Sequence, residues 1–293
     1  MDFEPSDDRR MLADTLCRYL SEQYGIEHRN TVAYDAPFHD ARKWAELAEL
    51  GVLQALVSAE QGGFGGEGFD VTTVFEALGG ALCPEPFLAA LMAIRILGSV
   101  GADLDSLMAG KVNYALGFGE VEAAFDLDEI VTTGVERDGA WRLNGRKSVV
   151  YGGHVAGRIL IAAFTGHGLS VFDVASDDVA LTSYGMVDGG GAAEVFLEDT
   201  PARMILPDGQ AAVADALEFG ALALSAEAVG AMDVSLAMLQ EYLKTRQQFG
   251  RAIGSFQALQ HRVVDLLIEL EQARSIVILA ASRMGTAEQS RTV

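Results

Sequence analysis

Positive charge is in short supply in this chain: 21 Lys and Arg stand against 42 Asp and Glu in 293 residues, giving a formal charge of -21 and a pI near 4.5. Nucleic-acid binding needs surplus cations to neutralise phosphates, so that class of partner is excluded. Cysteine is scarcer still. Cys17 and Cys83 share no C-x-x-C spacing, and the five histidines (His28, His39, His154, His167, His261) never cluster at metal-ligand intervals. Neither a disulfide framework nor a metal site is readable. The start, Met1-Asp2-Phe3-Glu4-Pro5, is acidic where a secretory signal would be basic. Apolar stretches are broken by Arg95 and Glu227, short of the roughly 18–20 residues that a membrane span requires. A soluble cytoplasmic protein without a membrane span is expected. What the chain does have is apolar mass: 50% of its residues are hydrophobic and 22% charged, enough for a large core divided among two or three domains.

Three zones follow one another, and together they predict an α+β fold. Over 1–112 the pattern is helical. Ser6-Asp7-Asp8 offers an N-cap ahead of Met11, Leu12, Leu16, Tyr19 and Leu20, and Trp44, Leu47 and Leu50 repeat the spacing. Pro84 and Pro86 punctuate it before 88–97 resumes it. Over 113–207 the period changes to two, with short β-rich runs separated by Asp138-Gly139 and Asn144-Gly145, dipeptides suited to tight hairpins. This middle domain reads as antiparallel β. Over 208–293 the helical period returns as a C-terminal bundle. Residues 211–249 are rich in Gly, Ala and Ser, which let helix backbones approach closely, and 257–284 are apolar on more than one side, as expected of a helix buried in a core or between subunits.

Gly63-Phe64-Gly65-Gly66-Glu67-Gly68 fits the G-x-G-x-x-G pattern. A dinucleotide fold needs a strand before it and a second strand after the helix. Here Cys83-Pro84-Glu85-Pro86 and more helix follow, so a flexible helix-to-helix loop is the better reading. The most informative segment is Tyr242-Leu-Lys-Thr-Arg246-Gln-Gln248-Phe249-Gly250-Arg-Ala-Ile253-Gly-Ser255-Phe256-Gln257. Locally it reads as a helix stop and restart, with Gly250 at the left-handed position after the first helix and Ser255 capping the next. That does not account for Arg246, Phe249, Phe256 and Gln257 gathering at the junction. A guanidinium fork, aromatic faces and an amide could hold a diphosphate and a purine.

At this junction the chain resembles the acyl-CoA dehydrogenases. Arg246-x-x-Phe249-Gly250 followed by Phe256-Gln257 looks like that family's signature, and the helix–β–helix order is similar throughout. Glu60-Gln-Gly62-Gly63-Phe-Gly65-Gly66 and Trp141-Arg-Leu-Asn144-Gly145-Arg-Lys147 add to the likeness, which is nearest to small-subunit, pimeloyl-CoA dehydrogenase-type members. The resemblance implies FAD as cofactor, an acyl-CoA substrate, and a homo- or hetero-tetramer with a homologous subunit. It also implies an electron acceptor such as an electron-transfer flavoprotein. By position, Arg246, Gln248, Phe256 and Gln257 would hold the FAD of a neighbouring chain with Phe249 packed nearby. Leu116-Gly117-Phe118-Gly119-Glu120 and Val149-Val150-Tyr151 would flank the flavin ring, although Phe118 and Val149 also read as ordinary strand residues.

Departures matter as well. Where the family carries Thr-Glu-Pro and then Gly-Ser-Asp, this chain has Gly119-Glu120-Val121 and Ala123-Ala124-Phe125-Asp126; where it carries Trp-Ile-Thr, this chain has Val149-Val150-Tyr151; and an expected Arg is Ala221. In the family's reaction a carboxylate takes the proton α to a thioester carbonyl while hydride leaves the β-carbon for the flavin. That requires a buried Glu and donors on the carbonyl. The resemblance places the Glu in a segment beyond 286–293, so a C-terminal portion is expected to be missing. An alternative location used by some members falls on Gly220, and no catalytic residue is named. Two other functions stay open: a non-catalytic subunit supplying the trans half of an FAD site, and a fold-sharing flavin monooxygenase or carrier-protein-bound acyl oxidase.

Overall fold

The computed structural model describes residues 6–123 and 126–292; residues 1–5, Ala124, Phe125 and Val293, which carry the acidic start and part of the Ala123–Asp126 departure, lie outside the described residues. The helices, in chain order, are α1 (Asp7–Gln23), α2 (Ile26–Tyr34), α3 (Ala41–Glu49), α4 (Gly68–Gly80), α5 (Phe87–Ser99), α6 (Asp105–Met108), α7 (Gln210–Thr245), α8 (Gln257–Arg283) and α9 (Gln289–Thr292). The strands are β1 (Tyr114–Gly117), β2 (Thr133–Arg137), β3 (Ala140–Tyr151), β4 (Arg158–Thr165), β5 (Gly168–Ala175), β6 (Ala180–Gly185), β7 (Gly191–Leu206), β8 (Gln247–Gln248) and β9 (Arg251–Ala252). The chain folds as two units, one of residues 1–25, 67–83 and 221–293, the other of 26–66 and 84–220.

In the first unit, Ser6 caps α1 as its sequence predicts: the hydroxyl accepts the Arg9 amide at 3.3 Å, and Asp7 and Asp8 sit at the positive end of the helix dipole. Leu16 and Leu20 are its buried stripe. Arg9 ties α1 to the start of α4, with Nε donating to Asp70 at 2.6 Å and Nη2 to Glu67 at 3.1 Å. The small residues do what their size suggests. A Cβ on Gly230 of α7 would lie 2.0 Å from the Glu76 carbonyl oxygen of α4, and one on Gly79 would lie 2.0 Å from that of Glu227. Only glycine permits backbones this close. Helix α8 buries Leu270, Val277, Ala280 and Ala281 but leaves Val264, Leu266, Leu267, Ile268, Ile276 and Leu279 exposed. Within the single chain it is therefore buried on one face.

The second unit is built around a seven-stranded sheet in the order β1-β4-β2-β3-β7-β5, with β6 on β7 and β5 returning to β4. Most pairings are antiparallel, as the alternating pattern implies, but β1 joins β4 in parallel, Tyr114 opposite Arg158 through Gly117 opposite Ile161. Ala115, Leu143, Val150, Ile159, Ile161, Phe172, Val174, Val195 and Leu197 fill the core, and Trp141 lies 5.4 Å from Phe172. Asp138-Gly139 makes the expected β2–β3 turn, both residues at positive φ between Arg137 and Ala140. Asn144-Gly145 does not turn the chain. It lies inside β3 at a register shift, where the Asn144 side-chain oxygen accepts the Asp199 amide at 2.9 Å, so the dipeptide serves a bulge.

Two further expectations are revised. The G-x-G-x-x-G segment connects helices, but it is laced rather than loose: the amides of Gly63, Phe64, Gly65 and Gly66 donate to the carbonyls of Ser58, Gln54, Val57 and Ala55. Helix α7, with its chain running from one unit into the other, is long and apolar enough to cross a membrane by length and composition. Asp215, Glu218, Glu227 and Asp233 are spaced along it, and core helices of soluble proteins share such composition.

Candidate functional site

The residues singled out by sequence fall into two groups, one in each unit. In the second unit the chain leaves β1 at Gly117 and passes through Phe118 and Gly119 beside β3, where the Gly119 carbonyl accepts the Ser148 amide at 2.9 Å. This contact brings Phe118 and Gly119 together with Val149, and Tyr151 follows two residues along the same strand. The pairing of β3 with β7 is irregular here. Lys147 lies opposite Val195 and Val150 opposite Ala193, so Ser148 and Val149 together face Glu194 alone. Val149 has a φ of 50° and is 47% exposed. A positive φ is an outlier for a β-branched residue, and two-against-one bulges re-aim side chains near functional sites. Val149 is thus no ordinary strand residue.

Both sides of this bulge are held by charge. Beneath it, Lys147 Nζ donates to Glu120 Oε1 at 2.6 Å and to the Phe118 carbonyl at 3.2 Å, with the two side chains 0% and 1% exposed. Glu120 also accepts the Thr132 hydroxyl at 2.5 Å, the Val131 amide at 2.8 Å and the Thr132 amide at 3.1 Å. Burial alone would raise the Glu120 carboxyl, but the bonds from Lys147, Thr132 and Val131 bring it below its ordinary value. Burial pushes the Lys147 ammonium down to about 8 against the opposing pull of Glu120. Above it, Glu194 accepts the Ser148 hydroxyl at 2.8 Å, the Val149 amide at 3.3 Å, the Tyr184 hydroxyl at 3.1 Å and two bonds from Arg146 at 2.9 and 2.7 Å. Sequence reading missed Glu194, Tyr184 and Thr132. One usable signal is an acidic residue inside the apolar run Ala192-Ala193-Glu194-Val195.

In the first unit the junction between the long helices is a hairpin, not a simple stop and restart. Helix α7 ends at Thr245, earlier than the periodic pattern suggests, and Gln247 and Gln248 pair with Ala252 and Arg251. Phe249 (φ 54°) and Gly250 (φ 76°) form the two-residue turn, so Gly250 serves a hairpin and not a helix end. Ser255 does not cap α8. Its hydroxyl donates to the Ala252 carbonyl at 2.7 Å, and Phe256 holds the N-cap position.

The arrangement gathers the side chains that the sequence places there. Phe249 is 89% exposed, and its ring meets Phe256 edge-on at 6.1 Å between centroids. The Arg251 guanidinium, which sequence reading did not single out, lies 4.1 Å from the Phe256 ring centroid. Gln248 and Gln257 are exposed beside them. Arg246 is exposed, its amide donating to the Tyr242 carbonyl at 2.8 Å and its carbonyl accepting the Ile253 amide at 2.9 Å. Its guanidinium makes no ion pair among the described residues, although acidic side chains outnumber basic ones two to one in this chain. A fork of unpaired donors next to exposed aromatic faces suits an anionic group joined to a planar ring. Gly220, on α7 within the second unit, faces α5: a Cβ there would lie 3.4 Å from Met92 Sδ and 3.5 Å from Leu88 Cδ1. Among the described residues no group of three His, Cys, Asp or Glu side chains is placed to hold a metal ion.

Comparisons with known proteins bear on this arrangement. Residues 6–104 match the family described as acyl-CoA dehydrogenase, N-terminal domain, and residues 207–293 match acyl-CoA dehydrogenase, C-terminal domain. Acyl-CoA dehydrogenase IpdE2 of Mycobacterium tuberculosis is 30% identical over 276 residues, covering 93% of this chain and 75% of that protein. Among solved structures, the ChsE4-ChsE5 complex from Mycobacterium tuberculosis superposes with a TM-score of 0.88 at 25% identity, covering 100% of this chain and 82% of that one. PigA with FAD and proline gives a TM-score of 0.83 at 25% identity, covering 97% of this chain and 80% of that one.

Proposed function

This chain belongs to the acyl-CoA dehydrogenase family and is an FAD-dependent oxidoreductase, and on that basis we propose how its residues serve the desaturation of an acyl-CoA thioester. The reading takes 1–112 as an N-terminal helical domain, 113–207 as the middle β domain and 208–293 as the C-terminal helical domain. The donor chemistry of both groups of residues fits the cofactor: a bulge with backbone and apolar surface at Phe118, Gly119, Val149 and Tyr151 suits a flat ring, and an unpaired guanidinium among amides and aromatics suits a diphosphate and adenine. When bound, FAD supplies a two-electron acceptor for the hydride leaving the substrate's β-carbon.

Phe118, Gly119, Val149 and Tyr151 flank the ring and keep water from the reacting face. Arg246, Gln248 and Gln257 would donate to the pyrophosphate of a neighbouring chain's FAD, and Phe249 and Phe256 would give its adenine apolar cover. The assembly is a tetramer of this chain with itself or with a homologous subunit; the similarity to one chain of the two-component ChsE4-ChsE5 complex supports an oligomeric reading. Electrons leave to an acceptor such as an electron-transfer flavoprotein, and the site of action is cytoplasmic. The observation that carries this reading is the unpaired Arg246 in a chain of charge -21, set at a hairpin with Phe249 almost fully exposed. The test is anaerobic mixing of the FAD-loaded assembly with acyl-CoA thioesters of graded length while flavin absorbance is followed. Bleaching with at least one thioester is expected, and a flavin that stays oxidised with all of them contradicts the proposal.

A further inference from the structure

We infer that Glu194 is a positioning residue for the flavin site: its carboxylate holds Val149 in the left-handed conformation that aims the Ser148–Val149 bulge. The inference rests on the reading that this bulge flanks the ring. Its starting point is the conformation itself. A Val with φ of 50° is strained and persists only where the surroundings over-determine it, and such strain collects where function needs a fixed geometry.

Glu194 is the one residue opposite the two-residue bulge, and it contacts both members: Oε1 accepts the Ser148 hydroxyl at 2.8 Å and the Val149 amide at 3.3 Å. The carboxylate is itself fixed from two further directions. Arg146, from the same strand as the bulge, gives Oε2 two charge-assisted bonds, and Tyr184 of β6 donates to Oε1 at 3.1 Å. Arg146 also lies over the Phe196 ring, 5.1 Å from its centroid, which restrains the guanidinium. Two strands, β3 and β6, thus converge on one carboxylate carried by a third, β7. Ser148 in turn donates its amide to Gly119, so the bulge and the Phe118–Gly119 segment are set together.

The test is a set of FAD titrations, followed by flavin fluorescence, on the full chain in its native assembly, with thermal melts alongside. Glu194→Gln keeps an oxygen acceptor for Ser148 and Val149 and should stay within about threefold of wild type. Glu194→Ala removes the acceptor and should weaken FAD affinity about tenfold or more, as expected for hydrogen bonds to a charged group. Val149→Gly removes the penalty on positive φ together with the side chain that flanks the ring, so it serves as its own reference: Glu194→Ala should weaken FAD binding far less in the Val149→Gly background than in wild type, without a proportionate recovery of melting temperature. A residue that only stabilises the sheet would show the same loss in both backgrounds. Should Glu194→Ala not fold, Ser148→Ala removes one of the two bulge bonds and should give a several-fold loss, also smaller in the Val149→Gly background. A wild type that takes up no FAD contradicts the flavin-site reading itself. Wild-type affinity in Glu194→Ala, or in Ser148→Ala where that variant replaces it, or an equal loss in both backgrounds, overturns the inference while leaving that reading standing.

Discussion

Lys147 and Glu120 illustrate how one residue pair can set local geometry at high stakes. An ammonium and a carboxylate with essentially no exposure are held only because each is bonded several times over. Removing one partner leaves an uncompensated buried charge, at a cost of roughly 3–5 kcal/mol, whereas replacing both with apolar groups is often close to neutral. Lys147→Met should therefore destabilise strongly in chemical denaturation, and Lys147→Met/Glu120→Leu should recover most of that stability. The double variant should nevertheless bind FAD less well, because Phe118 loses the Nζ bond to its carbonyl. Equal stability of the single and double variants would contradict the pairing. The carboxylates also make a pH prediction. Glu120 and Glu194 both sit below the ordinary value of 4.5 in the folded chain: burial raises each, but hydrogen bonds outweigh it, led by Lys147 for Glu120 and by Ser148 and Arg146 for Glu194. As pH falls through 4.5 the unfolded chain takes up their protons first, so this contribution is present above 4.5 and is lost as pH falls through the lower folded values. Melting temperature should drop across that range, and less steeply in Glu194→Gln than in wild type; identical slopes would contradict the assignment.

Elements were legible in the sequence where a local rule governs them. Ser6 caps α1, Asp138-Gly139 turns β2 into β3, and the small residues of α7 mark a close crossing at Gly230, because each depends on a cap, a φ value or a missing side chain that sequence reports directly. Elements set by partners distant in sequence were not. Asn144-Gly145 has hairpin chemistry but lies opposite a continuous β7, and the ladder converts it into a bulge. The 242–257 junction contains helix-ending and helix-capping residues, yet two pairs of strand bonds turn it into a hairpin and displace the cap from Ser255 to Phe256. The same holds for the candidate site. Arg246, Phe249 and Phe256 stand out by type within a short segment, whereas Glu194 acts across 45 residues of chain on a backbone angle that no residue pattern reports.

The whole molecule separates the two tasks between its units. One unit presents a charged, strained bulge beside Phe118 and Gly119; the other presents a hairpin bearing Arg246 and two aromatic rings. The exposed side chains of α8, among them Val264, Leu266, Ile268 and Ile276, form an apolar surface unusual for a chain with so much negative charge. Such surface is characteristic of chains that associate, in keeping with the oligomer proposed above. In the proposed oligomer the hairpin would serve the cofactor of a neighbouring chain, with the Arg246 guanidinium offered to the pyrophosphate. The most direct measurement is FAD affinity of the assembled protein with Arg246 and with Arg246→Ala, read by flavin fluorescence at matched oligomeric state. Because Arg246 is exposed and has no ion-pair partner among the described residues, its loss should leave melting temperature unchanged and weaken FAD binding roughly 10–100-fold, the range for a charge-assisted bond. Unchanged affinity in Arg246→Ala would contradict the role given to the hairpin.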